Sequence, residues 1–410
     1  MRSNYLKTLK TAVLAVTVLL LGVSVSVAQQ TINLAAAPTT LVMPDGSTVP
    51  MWGYSCGTVV TTATATCRAL NPNAPAAVGT TPAGWSPVVI TVPVATTGQT
   101  SLTINLTNNL SFTPTGATTA NTVPTSLVIV GQVGGGLGVL GQRTTTLSPS
   151  HANAQANVTW PIVVSPSTTP GTPPVQGPRV QSFGTEVAAA GVTPVAPQVA
   201  SGSSLTWSAL RPGTYLLESG THPSIQVPMG LYGILVVTDV PGTAAGLTTG
   251  CAYGYSAAVT TTTPSTPASC QRPYDAEIPL EFSEIDPVQN NAVNTAVNTV
   301  GFSETKVWSG QPGGCGNASS GAAYHTCYPP AVNYIPLYYL INGVGFNRTN
   351  AASSLFPVAP ATGLTAGTGN VLVRLVNAGL RMHVPSIVGS LTGATTVSYT
   401  HLTLPTNREV

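Results

Sequence analysis

Residues 211–237 read RPGTYLLESGTHPSIQVPMGLYGILVV. Arg211-Pro212-Gly213 is a turn signal, because proline presets φ and glycine tolerates tight backbone geometry. Thr214 to Leu217 is a short strand, β-branched and aromatic at its start, and Leu231 to Val237 is a second apolar run of strand length. The connection between them, ESGTHPSIQVPMG, holds His222, one of five histidines in the chain. The stretch predicts two strands joined by a loop, and the loop is where an inherited metal site would lie.

The wider composition agrees with strands. The chain has 410 residues, 41 Gly, 36 Pro and 6% charged residues, against about 25% charged in a typical soluble domain. Thr, Val, Gly and Pro dominate and few stretches have helical periodicity, which predicts an all-β protein of two or three domains. At the N-terminus, Arg2, Lys7 and Lys10 precede the apolar run Ala12 to Val27, which exits through Ser26-Val27-Ala28. That order predicts a signal peptide over residues 1–28, cleaved after Ala28. No cysteine follows the apolar run, so a lipoprotein anchor is not expected, and no later run is long enough to span a bilayer. The expected mature chain keeps ten basic residues against eleven acidic ones. A nearly neutral chain has no basic patch for nucleic acid or anionic lipid.

The six cysteines are Cys56, Cys67, Cys251, Cys270, Cys315 and Cys327. An even count in an exported chain fits disulfides, and no Cys-x-x-Cys spacing points to zinc. Successive pairs enclose short loop-like segments, so 56–67, 251–270 and 315–327 are the expected bonds, with other pairings open.

Along the chain, Ile32 to Met43 and Thr48 to Tyr54 flank Asp45-Gly46, a hairpin signal. Pro87 to Val94 is apolar. Ser101 to Leu106 alternates Leu102, Ile104 and Leu106 against Thr103 and Asn105, the pattern of a half-buried strand. Thr125 to Val130 and Ser203 to Leu210 are further strands, so residues 31–240 predict one β-sandwich. Residues 241–274 read as a linker carrying the Cys251 and Cys270 loop. A second domain, residues 275–396, opens with a strand over Glu277 to Glu281. It continues with a weak, Asn-rich helix over Asp286 to Val300, an Asn342-Gly343 turn and an alternating strand, Val371 to Asn377. VSYTHLTLPT, from residue 397, resembles a translated transposon mosaic-end adapter. Residues 397–410 are therefore expected to be an artefact, His401 carries no functional weight, and the gene is expected to continue beyond residue 396.

Several motifs in register resemble the multicopper oxidases, the laccase-like family of cupredoxin domains. INLTNNL is similar to the strand before that family's first histidine pair. TSLVIVGQ at 125–132 is similar to its T-S-I-H-W-H-G-Q, and GTYLLESG at 213–220 to its G-T-Y-W-Y-H-S-H. Gln226 and MGLYG, then PLYYLINGVGF and VLVRLVNAGL, follow in the family's order. The resemblance implies tandem cupredoxin-like Greek-key β-sandwiches, the second incomplete. In active members it implies a type 1 copper that takes electrons and a trinuclear copper cluster that reduces dioxygen. Two His-x-His pairs of the first domain hold part of that cluster, since strand residues i and i+2 share a face and imidazole suits copper.

Carried over by position, the first pair falls on Val128 and Val130 and the second on Glu218 and Gly220. Only Glu218 keeps a donor. The valines are expected to pack as core, worth about 1.5–3 kcal/mol each if fully buried. His222, two residues past the lost position, is a weak ligand candidate and reads rather as a loop histidine. His151 and His325 lie in loops without a partner at ligand spacing, and His383, in RMHVP, sits at a strand start in a domain that the resemblance implies carries no copper. Gly136-x-Gly138-x-x-Gly141 spells a dinucleotide fingerprint, but no helix follows it. Glu277, Glu281, Glu284 and Asp286 read as surface or structural acids. The expected protein is secreted or periplasmic, and its first domain lacks the trinuclear ligands, so no copper is expected in this fragment. It would serve as a structural or binding module beside a C-terminal cupredoxin domain packed on domain 1, with an envelope or extracellular protein as partner. The alternative is an active copper-dependent oxidoreductase with its copper in the C-terminal part. A purely adhesive sandwich is a third reading.

Overall fold

The computed structural model of the chain describes residues 29–71, 73–74, 84–95, 100–131, 184–195, 198–207, 210–238, 250–251, 273–274, 276–302, 334–347, 349–350, 359–360 and 371–385. The expected leader, the glycine run at 136–141, His151, Cys270, Cys315, His325, Cys327 and residues 397–410 lie outside the described residues.

The first part of the chain supplies β1 (Gln29–Val42), β2 (Thr48–Cys56), β3 (Thr66–Ala69), β4 (Val88–Val92), β5 (Ser101–Asn108), β6 (Ser111–Phe112), β7 (Asn121–Thr122), β8 (Val128–Ile129), β9 (Ser203–Trp207), β10 (Gly213–Glu218), helix α1 (Pro223–Gln226) and β11 (Tyr232–Val237). One sheet has the order β2-β1-β5-β9 and the other β3-β4-β11-β10-β8. Both are mixed, because β1 runs parallel to β5 and β4 parallel to β11. The chain passes repeatedly from sheet to sheet, and the inward residues of both make one interior. Leu34, Trp52, Ile90, Ile104, Leu106, Trp207, Leu217 and Leu235 are among its members. This is the all-β sandwich expected from the alternation. Cys56 at the end of β2 is bonded to Cys67 in β3, with Cα atoms 5.7 Å apart, which ties one sheet to the other as that pairing predicts.

β10 and β11 pair from Gly213↔Val237 to Glu218↔Tyr232. Tyr215 Oη donates to the carbonyl of Arg211 at 3.0 Å or Pro212 at 3.1 Å and so clasps the turn that starts the strand. The connecting loop contains α1, which the sequence reading leaves as a loop. Pro223 starts it with a preset φ, and Ile225, Gln226, Val227 and Met229 are buried beneath it. A single turn is not stable alone, so this burial holds it. Gly230 follows at φ 114, where an added Cβ would stand 2.3 Å from Trp85 Nε1 and 2.5 Å from Trp52 O. Only glycine fits such an approach. The strand expected over Thr125 to Val130 shrinks to β8, and Thr125 instead bridges Val187.

The second part supplies β12 (Gly250–Cys251), β13 (Pro273–Tyr274), β14 (Ala276–Ile285), α2 (Pro287–Val297), β15 (Tyr338–Ile341), β16 (Val344–Gly345), β17 (Ala359–Pro360) and β18 (Val371–Asn377). β14 is the spine: β15, followed by β16, and farther along β17 pair one of its edges, and a parallel β18 pairs the other. It is longer than the expected 277–281. The Asn342-Gly343 turn closes β15 on β16 with φ of 54° and 76°, as that dipeptide predicts. α2 forms despite its asparagines. Asp286 Oδ1 caps it, accepting from Val288 N at 2.9 Å and Gln289 N at 3.3 Å, while Val293 and Val297 enter the first sandwich's core.

This second sheet lies on the sandwich rather than apart from it. Met43, Val49, Met51, Trp85, Val227 and Tyr232 share one apolar cluster with Ile285, Leu340 and Ala378. Arg374 of β18 is 4% exposed. It donates to Glu277 Oε2 at 2.9 Å, Thr214 Oγ1 at 2.9 Å and Tyr274 Oη at 3.2 Å, which ties β18 to β10. Tyr338 Oη donates to Asp45 Oδ2 at 2.7 Å, tying β15 to the β1–β2 turn. Among the described residues, no helix is long and apolar enough to cross a membrane.

Candidate functional site

β8 is the edge strand beside β10, in a register that pairs Glu218 with Val128 and Leu217 with Ile129. Val130 N donates to Leu216 O at 2.9 Å. Val128, Val130 and Glu218 therefore meet on one strand pair, and Gly220 lies just past the end of β10. Leu127, Ile129 and Leu217 point into the core and are fully buried. Alternation leaves Val128, Val130 and Glu218 on the other face. Val128 is buried, but Val130 is 42% exposed. The expectation that both valines pack as core is corrected: the edge position of β8 leaves Val130 at the rim. Burial pushes the Glu218 carboxyl above its ordinary range.

A valine methyl has no lone pair and glycine has no side chain. One half-buried carboxyl is the only donor these positions keep, whereas copper is held by imidazole, thiolate or several such groups together. The donor set does not fit a copper cluster. Among the described residues, no group of three or more His, Cys, Asp or Glu comes together to hold a metal ion.

Polar side chains, not apolar ones, fill the end of the strand pair. Gln226 Oε1 accepts from Thr125 Oγ1 at 2.9 Å and from Ser219 Oγ at 2.7 Å, and Gln226 Nε2 donates to Pro124 O at 2.8 Å. Thr221 Oγ1 lies 3.0 Å from Ser126 Oγ and 3.1 Å from Glu186 Oε2. Tyr54 Oη donates to Ser126 O at 3.1 Å, and burial raises that phenol far above its ordinary value. Thr125, Ser219 and Gln226 are fully buried. Each such bond is worth about 0.5–1.5 kcal/mol net, and an orphaned partner costs about 1–3 kcal/mol. Gln226 Oε1, an amide oxygen, takes the hydroxyl protons of Thr125 and Ser219. An amide is no general base, so the arrangement positions chain segments and does not activate a nucleophile. Sequence reasoning singled out Gln226 but not its bonds to Pro124, Thr125 and Ser219, which come from two separate segments.

The histidines divide. His222 is exposed and precedes α1 with φ 41, and its imidazole makes no capping hydrogen bond. Its carbonyl accepts from Ile225 N and Gln226 N, both at 2.9 Å, so its clear role is in the backbone turn. His383 has a partner that the sequence reading missed. Its Nε2 lies 3.4 Å from Glu284 Oε2, and its ring stacks on Phe282 with centroids 5.3 Å apart. The acidic set is structural, but not on the surface. Glu281, Glu284 and Asp286 are at most 3% exposed, and Glu277 pairs with Arg374 at 2.8 Å. A shallow polar groove of about 500 Å³ lies over Asn33, Thr58, Asn105 and Ser204. Those side chains mostly bond one another: Ser204 Oγ to Asn105 Oδ1 at 2.6 Å and Asn105 Nδ2 to Asn33 Oδ1 at 2.8 Å.

No family model matches the chain, and no curated protein matches it. Solved structures do. Fet3p, a multicopper oxidase that functions in iron import, is 14% identical with a TM-score of 0.31, over 77% of this chain and 33% of its own. A blue copper oxidase from Nitrosomonas europaea is 13% identical with a TM-score of 0.35, over 86% of this chain and 61% of its own. A copper-containing nitrite reductase from Thermus scotoductus SA-01 is 11% identical with a TM-score of 0.33, over 86% and 44%. The chain thus spans 33% to 61% of the length of these structures. They are what the chain is similar to, and its all-β sandwich stands on its own strand register.

Proposed function

We propose that the chain is an exported, multicopper-oxidase-like protein whose first sandwich holds no trinuclear copper and acts as a structural or binding module. One observation carries the reading. The positions that the sequence resemblance assigns to imidazoles meet on the β8–β10 pair as Val128, Val130, Glu218 and Gly220. The adjoining Thr125–Ser219–Gln226 network fills that end of the sandwich with bonded polar groups. Export is supported by the basic, apolar and small-residue order of residues 1–28 and by the Cys56–Cys67 bond, a linkage that persists in oxidising compartments. The partners this reading implies are a further cupredoxin-type domain against the first and an envelope or extracellular protein.

Thermal unfolding of the purified chain with and without added cupric ion tests the metal side of the proposal. A ligand that binds only the folded state raises Tm with its concentration. The expected midpoint does not move. A rise that saturates with copper would contradict the reading of a copper-free module.

A further inference from the structure

The contact between β11 and β14 contains a carboxyl group with nothing to bind. Glu281 is 0% exposed, and neither of its carboxyl oxygens has a hydrogen-bond partner. Its main chain is pinned on both sides by Asn342. Glu281 N donates to Asn342 Oδ1 at 2.8 Å, and Asn342 N donates to Glu281 O at 2.8 Å. The turn that carries Asn342 therefore holds this point of β14 in place.

Among the described residues, the surroundings offer no counter-charge. Tyr232 faces Glu281 from β11, and burial first, then the nearness of Glu281, hold its phenol well above the ordinary value. Tyr232 and Ser283 are also buried, and the Ser283 hydroxyl lies beside the Tyr232 phenol. Glu284, on the same strand, is engaged by Arg381 N at 2.5 Å and by His383, and the Arg381 guanidinium bonds Tyr334 O at 2.8 Å. Tyr334, whose hydroxyl donates to Glu284 O at 3.0 Å, brings no positive charge. Arg374 is committed to Glu277. Burial alone drives the Glu281 carboxyl well above its ordinary value of 4.5. An ionised carboxylate in such a place is strongly unfavourable, and the neutral acid costs far less.

We propose that Glu281 is a proton-operated latch between the first sandwich and the β14 sheet. As the neutral acid it stays packed between β14 and β11, and as the carboxylate it reaches water only by parting them. The sign follows from the raised folded value. The stabilising contribution is fully present below 4.5, the unfolded value. It is lost as pH rises toward and through the folded value.

Hydrogen exchange of the β11 and β14 amides in the full chain tests the latch, after correction for the intrinsic pH dependence of exchange. The wild type is expected to lose protection at these strands by up to about tenfold per pH unit in the window above pH ~5. Glu281→Gln keeps the shape of the neutral acid and Glu281→Leu removes titration altogether, so either variant should lose that excess. An identical protection profile in wild type and a folded variant overturns the latch. Infrared spectra of the wild type give a check that needs no variant: a protonated-carboxyl band should persist above pH ~5, where ordinary carboxylates are ionised, and its absence overturns the proposal. Where a variant folds, loss of that band supports the assignment to Glu281 and its retention contradicts it.

Discussion

Two buried polar sites flank the β10–β11 ladder and differ in one respect. At the β8–β10 end, Thr125, Ser219 and Gln226 use one another as partners. Across β11, Glu281 has no partner for either oxygen. Both sites are closed to solvent, so burial alone does not separate them; satisfaction does. The first is a fixed joint whose pieces come from separate segments of one sandwich. The second is a contact between two sheets whose strength depends on a proton. A polar group that is fully bonded specifies structure, and one that is not makes structure conditional.

The contrast breaks most visibly at Gln226. Gln226→Ala leaves Pro124 O without its donor and takes the shared acceptor from Thr125 Oγ1 and Ser219 Oγ, which keep only their longer bonds, and should cost about 3 kcal/mol of stability in urea unfolding. A cost below about 1 kcal/mol would mean that water replaces the amide and that the joint is not fixed. Arg374→Ala comes next. It leaves Glu277 facing Tyr274 without its guanidinium and frees β18 from Thr214, and about 2 kcal/mol is expected, less than for a wholly buried pair because Glu277 is partly exposed. The change should appear in the unfolding midpoint, with the slope against urea unchanged.

The smallest effect sharpens the comparison by sign. Asp45 lies at the same contact between the two regions but in water, and its carboxyl is lowered to about 2, first by the Ser47 hydroxyl and then by Tyr338. A depressed carboxyl contributes stability above its unfolded value, and that contribution is lost as pH falls from about 4 through about 2. Asp45→Asn should flatten this acid limb of a Tm–pH curve and leave the alkaline limb, assigned to Glu281, in place. If Asp45→Asn altered the alkaline limb instead, the two carboxyls would not be acting independently.

Much of the fold was legible because it depends on period and turn chemistry. The alternation of Leu102, Ile104 and Leu106 gives β5, and Asn342-Gly343 gives the β15–β16 hairpin. The helix after Asp286 was legible but weak, because its asparagines disfavour it locally; the Asp286 cap and the packing of Val293 and Val297 override that propensity. The residues at the positions that the resemblance assigns to imidazoles, Val128, Val130, Glu218 and Gly220, could be read one by one. Their surroundings could not. Val130 is exposed because β8 is an edge strand, and strand order is a property of the whole sheet. Gln226 finds Thr125 across 101 residues, and His383 finds Glu284 across 99. Glu281 read as a surface or structural acid, because nothing local reveals that a second sheet covers it.

The central claim is that the β8–β10 site is a polar joint and not a copper centre. Its most direct test is the copper content of the purified full chain after loading with excess copper and dialysis against a mild chelator, measured by plasma mass spectrometry. The account predicts no copper retained in proportion to protein. Retention of a stoichiometric copper cluster that is lost on mutating Glu218 would contradict it.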